Sequence, residues 1–305
     1  MRRFLARRVL TAFITLFLVS VLIFGLARMQ GDPRMVYLSD QASKEQFEAW
    51  GRKLGLDRPL YYQYWVFLKD VVRGDLGESI LQRKPVASLI WGRVPASAQL
   101  ALAALLFSIL IGVPIGVLSA VKRGTVWDYL SRAFALIGQA MPVFLIGLVL
   151  MLVFAVQLGW FPTSRRGGFS HYILPSITLG WYYASGQVRL LRSAMLDVLD
   201  SEYIKFARAK GLGERLVIWK HALRNAIIAP LTFAGVTLGG LVAGSIVVET
   251  VFAWPGIGLL FIQSVMESDY PVLQGVVLFA TLAFVLAALA VDVIYAYVDP
   301  RIRYG

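Results

Sequence analysis

Residues 202–230 read EYIKFARAKGLGERLVIWKHALRNAIIAP, a stretch out of keeping with the chain around it. Hydrophobic residues make up 58% of the 305 and charged residues only 16%, yet eight basic side chains fall between Arg189 and Arg224. From Glu202 to Ala209, the apolar Tyr203, Phe206 and Ala207 recur at helical spacing while Lys205 and Arg208 take another side, which predicts a short amphipathic helix. Gly211-Leu212-Gly213 breaks it. A second helix follows, with Leu216, Trp219, Leu223 and Ile227 on one stripe, and runs into an apolar stretch. Two readings are open at this point: a basic loop lying on anionic headgroups, or a docking helix whose aromatic knobs enter a partner.

The flanking sequence is apolar on a membrane scale, with a mean hydropathy of +0.68, outside globular composition. Uncharged runs predict six transmembrane helices at 9–28, 97–121, 133–158, 172–191, 226–248 and 271–298, each near or above the roughly 20 residues that cross a bilayer core. The third run continues to residue 164, but Gly159-Trp160-Phe161-Pro162 supplies an interfacial aromatic pair and a proline stop, placing its end near Leu158. The opening MRRFLARR also suits a signal peptide. The nineteen apolar residues behind it exceed the roughly 7–15 of a signal h-region, so a retained helix is expected.

Six spans put both termini on one side. That side carries seventeen basic and six acidic residues, and the other thirteen and eleven. Bases concentrated on short loops mark the cytoplasmic face, so both termini are expected inside. The net charge of +12 is then a topology signal rather than a sign of nucleic acid as partner. Membrane lipid is the expected surroundings. One all-α transmembrane domain, 1–305, is the economical description, with a long external segment 29–93 and a cytoplasmic loop 192–225. The external segment is aromatic and amphipathic, compatible with short interfacial helices. Between spans five and six, the apolar piece Ile257–Met266 is too short to cross and suggests a re-entrant or interfacial helix behind Trp254-Pro255-Gly256.

Catalytic chemistry finds little footing. The two histidines, His171 and His221, fall on opposite sides of the membrane, so no joint metal site is expected, and the chain has no cysteine. The sequence contains no Gly-Lys dipeptide, which excludes a Walker-type phosphate loop. Asp292 is expected to be the sole acid within a span, near enough to the cytoplasmic end for structural anchoring rather than proton relay. Gln139 and Gln187 suit helix-to-helix hydrogen bonds before a substrate path. Gly235, Gly239, Gly240 and Gly244 in the fifth span form a close-packing stripe whose partner is either this chain or a second subunit. Gly112-Val-Pro-Ile-Gly116 adds a packing or hinge feature to the second span.

The stretch FARAKGLGERLVIWKHALRNAIIAP resembles the EAA-type loop of the permease subunits of ATP-binding-cassette importers, in its dipeptide and oligopeptide form. LGLDRPLYYQYW and RGDLGES, LGWFPTS, HYILPSITLG, VVETVFAWPGIG with ESDYPVLQG, and the terminal VDPRIRYG agree with it in order along nearly the whole chain. The resemblance implies a type I importer permease fold and half of a translocation path across a bacterial inner membrane. It implies as partners a second homologous permease, two ATPase subunits inside and a solute-binding protein outside, with ATP and magnesium on the ATPases and no cofactor on this chain.

By the same resemblance the coupling helix comprises Glu202, Tyr203, Lys205, Phe206, Ala207, Arg208, Ala209, Lys210, Gly211 and Leu212. Tyr203 and Phe206 are the expected knobs, with Arg208 and Lys210 as electrostatic clamps. Trp254, Pro255, Gly256 and Asp269 are candidates for an external gate. The positions of the family's Glu-Ala-Ala triplet hold Lys205, Phe206 and Ala207, so only the last conforms. Dipeptides, longer peptides and glutathione lead among expected cargoes, with nickel chelates and oligosaccharides carried by relatives. A stand-alone secondary transporter would call for internal repeats or embedded charges, and a membrane enzyme for a polar cluster within the spans.

Overall fold

Proline and glycine divide this chain into helices. In the computed structural model, residues 2–29, 43–53 and 56–298 are described. They form α1 (Arg2–Met29), α2 (Lys44–Lys53), α3 (Leu60–Val72), α4 (Val86–Val121), α5 (Val126–Ala140), α6 (Val143–Leu150, continued by a π turn over Met151–Gln157), α7 (Ser170–Leu199) and α8 (Glu202–Ala209). Then come α9 (Glu214–Leu216), a second π turn over Val217–Ala222, α10 (Leu223–Ala226), α11 (Ile228–Val251), α12 (Ile257–Met266) and α13 (Tyr270–Val298). Among the described residues the one departure from helix and loop is an isolated bridge, Glu78 to Pro85.

The third apolar run is not the single helix expected over 133–158. Pro142 precedes Val143, and Met141 before it takes an extended backbone (φ −85°, ψ 135°), as the clash with a proline ring dictates. The helices on either side are bent by 111° from one another. The other runs fall on helices whose bounds spread into charged sequence. α4 starts at Val86 rather than 97, and α7 runs on to Leu199 past Arg189, Arg192 and Asp197, because helical hydrogen bonding is indifferent to charge once a helix leaves the apolar layer.

The helices are gathered into two compact units. In the first, residues 1–95 with 255–305, α13 packs with α1 and α12. Val86, Ile90, Ile257, Leu260, Val272 and Val276 form its core. α3 lies on α1 through the Tyr64 ring, 5.4 Å from that of Phe24, and a 2.8 Å hydrogen bond between the Tyr64 and Ser20 hydroxyls. α1 leaves Leu10, Phe13, Phe17 and Leu22 exposed, an apolar surface suited to lipid.

In the second unit, residues 96–254, α7 is packed by α5, α6, α10 and α11. It approaches α4 closely. A Cβ on Gly180 would sit 2.6 Å from the Ala104 carbonyl oxygen, and one on Gly112 2.7 Å from the Gln187 Cβ. The Gly112 to Gly116 segment is therefore a packing surface within a helix that continues through Pro114. The buried Gln187 Oε1 on the facing helix has no hydrogen-bond partner among the described residues.

Three described helices are long and apolar enough to cross a membrane, Arg7–Met29, Val86–Val121 and Tyr270–Ala290, and the bent pair Val126–Ala140 with Val143–Gln157 makes a fourth when counted as one broken span. α7 falls outside that group for a physical reason. It is wrapped by protein, so it carries Ser176, Thr178, Ser185 and Gln187 on buried faces where a lipid-facing helix would carry leucine. Of α11, several side chains lie outside the described residues.

The expectation that Asp292 is the sole acid in a span is corrected. Glu249 lies in α11 and is fully buried, accepting a 2.6 Å hydrogen bond from the Ser97 hydroxyl. Its charge closes the uncharged run 225–248, so the predicted span stops one residue short of it. The Asp292 side chain and residues 299–305 are outside the described residues.

Candidate functional site

Helix α8 is the short amphipathic helix expected from Glu202 to Ala209, but its apolar residues divide between two faces. Ile204 is fully buried and Ala207 nearly so. They join Val117 and Ala120 of α4, Leu191 and Met195 of α7, and Val217, Ala222 and Ala226 of the following segment in one core. Ala207 is thus on the inner face, not beside Tyr203 and Phe206 as expected. Those two aromatics remain 44% and 61% exposed, so the inner face fixes the helix and leaves the rings outward.

The polar residues decorate the outward face and its ends. Lys205 pairs with Glu202 at 2.8 Å and Arg208 with Glu214 at 2.7 Å. The Lys210 ammonium stands 4.5 Å from the Phe206 ring centre, and the Asn225 amide donates a 2.7 Å hydrogen bond to the Tyr203 hydroxyl. Arg208, expected as a clamp on a partner, is engaged within the chain. Ala209 is exposed and Leu212 packs on the inner core.

Gly211 ends the helix by a Schellman arrangement. The Leu212 N–H reaches the Ala207 carbonyl at 3.3 Å and the Gly211 N–H reaches that of Arg208 at 2.9 Å, as the motif requires. Gly211 has φ +78°, where a Cβ costs about 1–2 kcal/mol. Nothing lies within 4 Å of a Cβ placed there, so the penalty is conformational alone. Gly211→Val is expected to lower stability by about 2 kcal/mol, the β-branched side chain adding to the strain. A thermal-unfolding comparison with Gly213→Val, at a glycine of ordinary φ (−63°), checks it.

The stripe expected for the second helix is also shifted. Leu216 and Trp219 are exposed, while Val217, Ala222 and Ala226 are buried. The π turn over Val217–Ala222 is wider than an α turn, which rotates the buried face away from a strict 3.6-residue register.

Behind α8 lies a polar cluster that the sequence did not single out. Asp128, in the first turn of α5, lies ahead of the apolar run that starts at 133, in charged sequence read as loop. It is 1% exposed yet fully bonded. It accepts from Arg192 Nε at 2.9 Å and Nη2 at 3.0 Å, from the Ser119 hydroxyl at 2.7 Å and from the Gly124 N–H at 3.0 Å. Arg132 lies 3.6 Å away. The two Arg192 hydrogen bonds, with those from Ser119 and Gly124, offset the cost of burying the Asp128 carboxylate.

The external candidates are built into protein. In the second unit Trp254 is fully buried, donating from Nε1 to the Ala96 carbonyl at 2.9 Å and meeting the Tyr172 ring edge-on at 4.7 Å. In the first, Gly256 is the N-cap of α12, preceded by the half-buried Pro255. Asp269 is 3% exposed and accepts from the Ser79 hydroxyl and, at 3.2 Å, from the Ile80 N–H. In the fifth apolar run, among the described residues no atom approaches within 4 Å of a Cβ placed on Gly235. The surroundings of Gly239, Gly240 and Gly244 lie outside the described residues.

Comparison with known proteins agrees with this architecture. Residues 112–304 match the family described as binding-protein-dependent transport system inner membrane component, and residues 1–101 match its N-terminal counterpart. The glutathione transport system permease protein GsiC of Escherichia coli K12 is 42% identical over 305 residues, covering 100% of both chains, and that of Shigella dysenteriae is equally similar. Among solved structures, the inward-facing MetNI methionine ABC transporter superposes with a TM-score of 0.58 at 21% identity, covering 69% of this chain and 96% of that one. An amino acid ABC transporter gives 0.54 at 14% identity, covering 69% and 94%. The structural likenesses speak to the fold, and the matches along the whole sequence to the family. The chain belongs to the binding-protein-dependent transport system inner membrane component family and is a multi-pass permease subunit of an ABC importer in the bacterial inner membrane.

Proposed function

We propose that this chain forms half of the path by which short peptides, glutathione among them, enter the cell, beside a second homologous permease and driven by two ATPases that grip α8 on the cytoplasmic side. The permease itself performs no catalysis, and ATP with magnesium belongs to the ATPases. Glutathione is itself a tripeptide, so the expectation of peptide cargo and the glutathione permeases at 42% identity point to one chemical class. The observation that carries the docking assignment is the division of α8 into a face locked in the core at Ile204 and an outward face bearing Tyr203 and Phe206.

The mechanism is linkage between distant sites. Binding of ATP draws the two ATPases together and displaces whatever is docked on them. Because α8 is anchored through Ile204, Ala207 and Leu212 to the ends of α4 and α7, it moves with those helices rather than sliding over them, and a rigid shift of packed helices changes which side of the membrane the path faces. Gly235, where no described atom lies within 4 Å of an added Cβ, would suit the approach of the second permease, since small residues let helix backbones approach closely.

The test is reconstitution of the permease pair, its ATPases and the neighbouring solute-binding protein in proteoliposomes, with radiolabelled glutathione and dialanine as probes. ATP-dependent accumulation of either supports the reading. Uptake by this chain alone without ATP would refute it in favour of a secondary transporter, and ATP-dependent uptake of a nickel chelate or oligosaccharide to the exclusion of both probes would refute the cargo.

A further inference from the structure

We propose that the Asp128–Arg192 pair is a positioning device for transport, a pin that makes α5 travel with α7 and α8. It rests on the reading of α8 as the ATPase-docking helix. The geometry is unusual for a loop-side ion pair. Arg192 offers two nitrogens to the two carboxylate oxygens, at 2.9 and 3.0 Å, and a bidentate fork fixes orientation as well as distance. The remaining acceptor capacity of Asp128 is taken by the Ser119 hydroxyl at the end of α4 and by the Gly124 N–H of the α4–α5 turn. One buried carboxylate thus holds three segments together, and Arg192 Nε also meets the Ser119 oxygen at 3.1 Å.

Placement along the chain gives the pin its consequence. Arg192 lies in the last turns of α7, and after the cap at Asp200 the chain enters α8. The adjoining core already makes α8 one block with the ends of α4 and α7. None of its buried residues comes from α5. The sequence passes from the end of α4 to α5 through Lys122, Arg123 and Gly124, an exposed turn with φ +76° at the glycine. The ion pair supplies a stiff tie at this end of α5, whose far end runs into the 111° bend before α6. A displacement of α8 therefore reaches the bend through α5 acting as a lever, provided the pin holds. The Phe134 ring stacked 5.2 Å from that of Trp181 keeps the same two helices together further along, so the pin fixes angle where the stack fixes distance.

The absence of cysteine from the chain makes a clean test available. Spin labels are placed at Tyr129→Cys on α5 and Asp200→Cys at the end of α7, both exposed positions, in the complete transporter. The expected result is a single narrow distance that is the same nucleotide-free and ATP-trapped. In Asp128→Asn, which keeps the shape and one acceptor but removes the charge, the distribution is expected to broaden at least twofold, with ATP hydrolysed per substrate imported rising severalfold. Arg192→Lys, which keeps charge but loses the fork, is expected to broaden it less. A native distance that changes between nucleotide states, or variants as narrow as the native chain, would overturn the pin. Failure of the ATPases to co-purify with the native chain would instead sink the docking assignment of α8.

Discussion

Phe206→Asp is expected to abolish ATP-driven uptake, to about a hundredth of the native rate or less, while the chain still inserts and purifies in normal amount. The separation of effects follows from where the ring stands. At 61% exposed it contributes little to this chain's own fold, and surface substitutions away from special features typically stay within about 0.5 kcal/mol. Docked in a partner's pocket, an aromatic anchor is worth roughly 2–4 kcal/mol, the range of interface hot spots, and a buried unpaired carboxylate would cost more. A loss near 3 kcal/mol is about a hundredfold in an equilibrium. Uptake and ATP hydrolysis measured side by side decide it, and uptake at the native rate would remove Phe206 from the docking surface. Tyr203→Asp should do less, because its hydroxyl is already tied to Asn225 and its ring is less exposed.

Trp254→Ala is expected to have the largest effect on stability, about 3–5 kcal/mol, the range for removing a buried Phe or Trp side chain. The indole is fully buried in the core that also includes Leu100, Leu174, Leu241 and Phe252, and its loss strips the edge-on contact from Tyr172 as well. Trp254→Phe separates the contributions. It keeps an aromatic body but not the N–H that reaches the Ala96 carbonyl, so a smaller loss is expected, of which about 1 kcal/mol belongs to the hydrogen bond. Unfolding of the purified subunit in detergent, followed by calorimetry or a dye-free fluorescence scan, gives both values. A Trp254→Ala subunit that melts with the native one would mean that the indole is dispensable to the core. A residue so placed is part of the core, and reduced transport in its variants must be corrected for lost folded protein before any gating role is assigned.

What could be read in the sequence was whatever has a period or a composition. Uncharged runs located the helical stretches, and the family resemblance fixed the importer class that the whole-length matches bear out. Helix α8 and its glycine stop were legible because aromatic spacing and Gly211 are local signals. The rest was tertiary. Ile204 and Phe206 are both apolar, and only the packing of α4 and α7 decides that the first is buried and the second outward. Asp128 and Glu249 left no signal in a reading of uncharged runs, since Glu249 closes the fifth run and Asp128 falls in the charged stretch between Lys122 and Arg132, yet a carboxylate matched by Arg192 or received by the Ser97 hydroxyl can lie inside the fold. The π turn at Val217–Ala222 left no mark in composition, so the stripe beyond it was read in the wrong register. Pro142 carries the bend in a run whose neighbouring residues are all apolar, so composition alone does not mark it.

The bend at Met141–Pro142 bears on how the protein is made. Each helix beside it is 15 residues or shorter, below the length that crosses a bilayer core unaided, and an extended residue between them leaves backbone groups that lipid cannot satisfy. Neighbouring protein must accept that bend, and the helix that packs against both halves is α7, whose residues lie downstream. During synthesis the third run therefore leaves the ribosome before its support exists. The bend is then expected to form only after residues 170–199 have been made, so that a chain truncated before residue 170 would lack it.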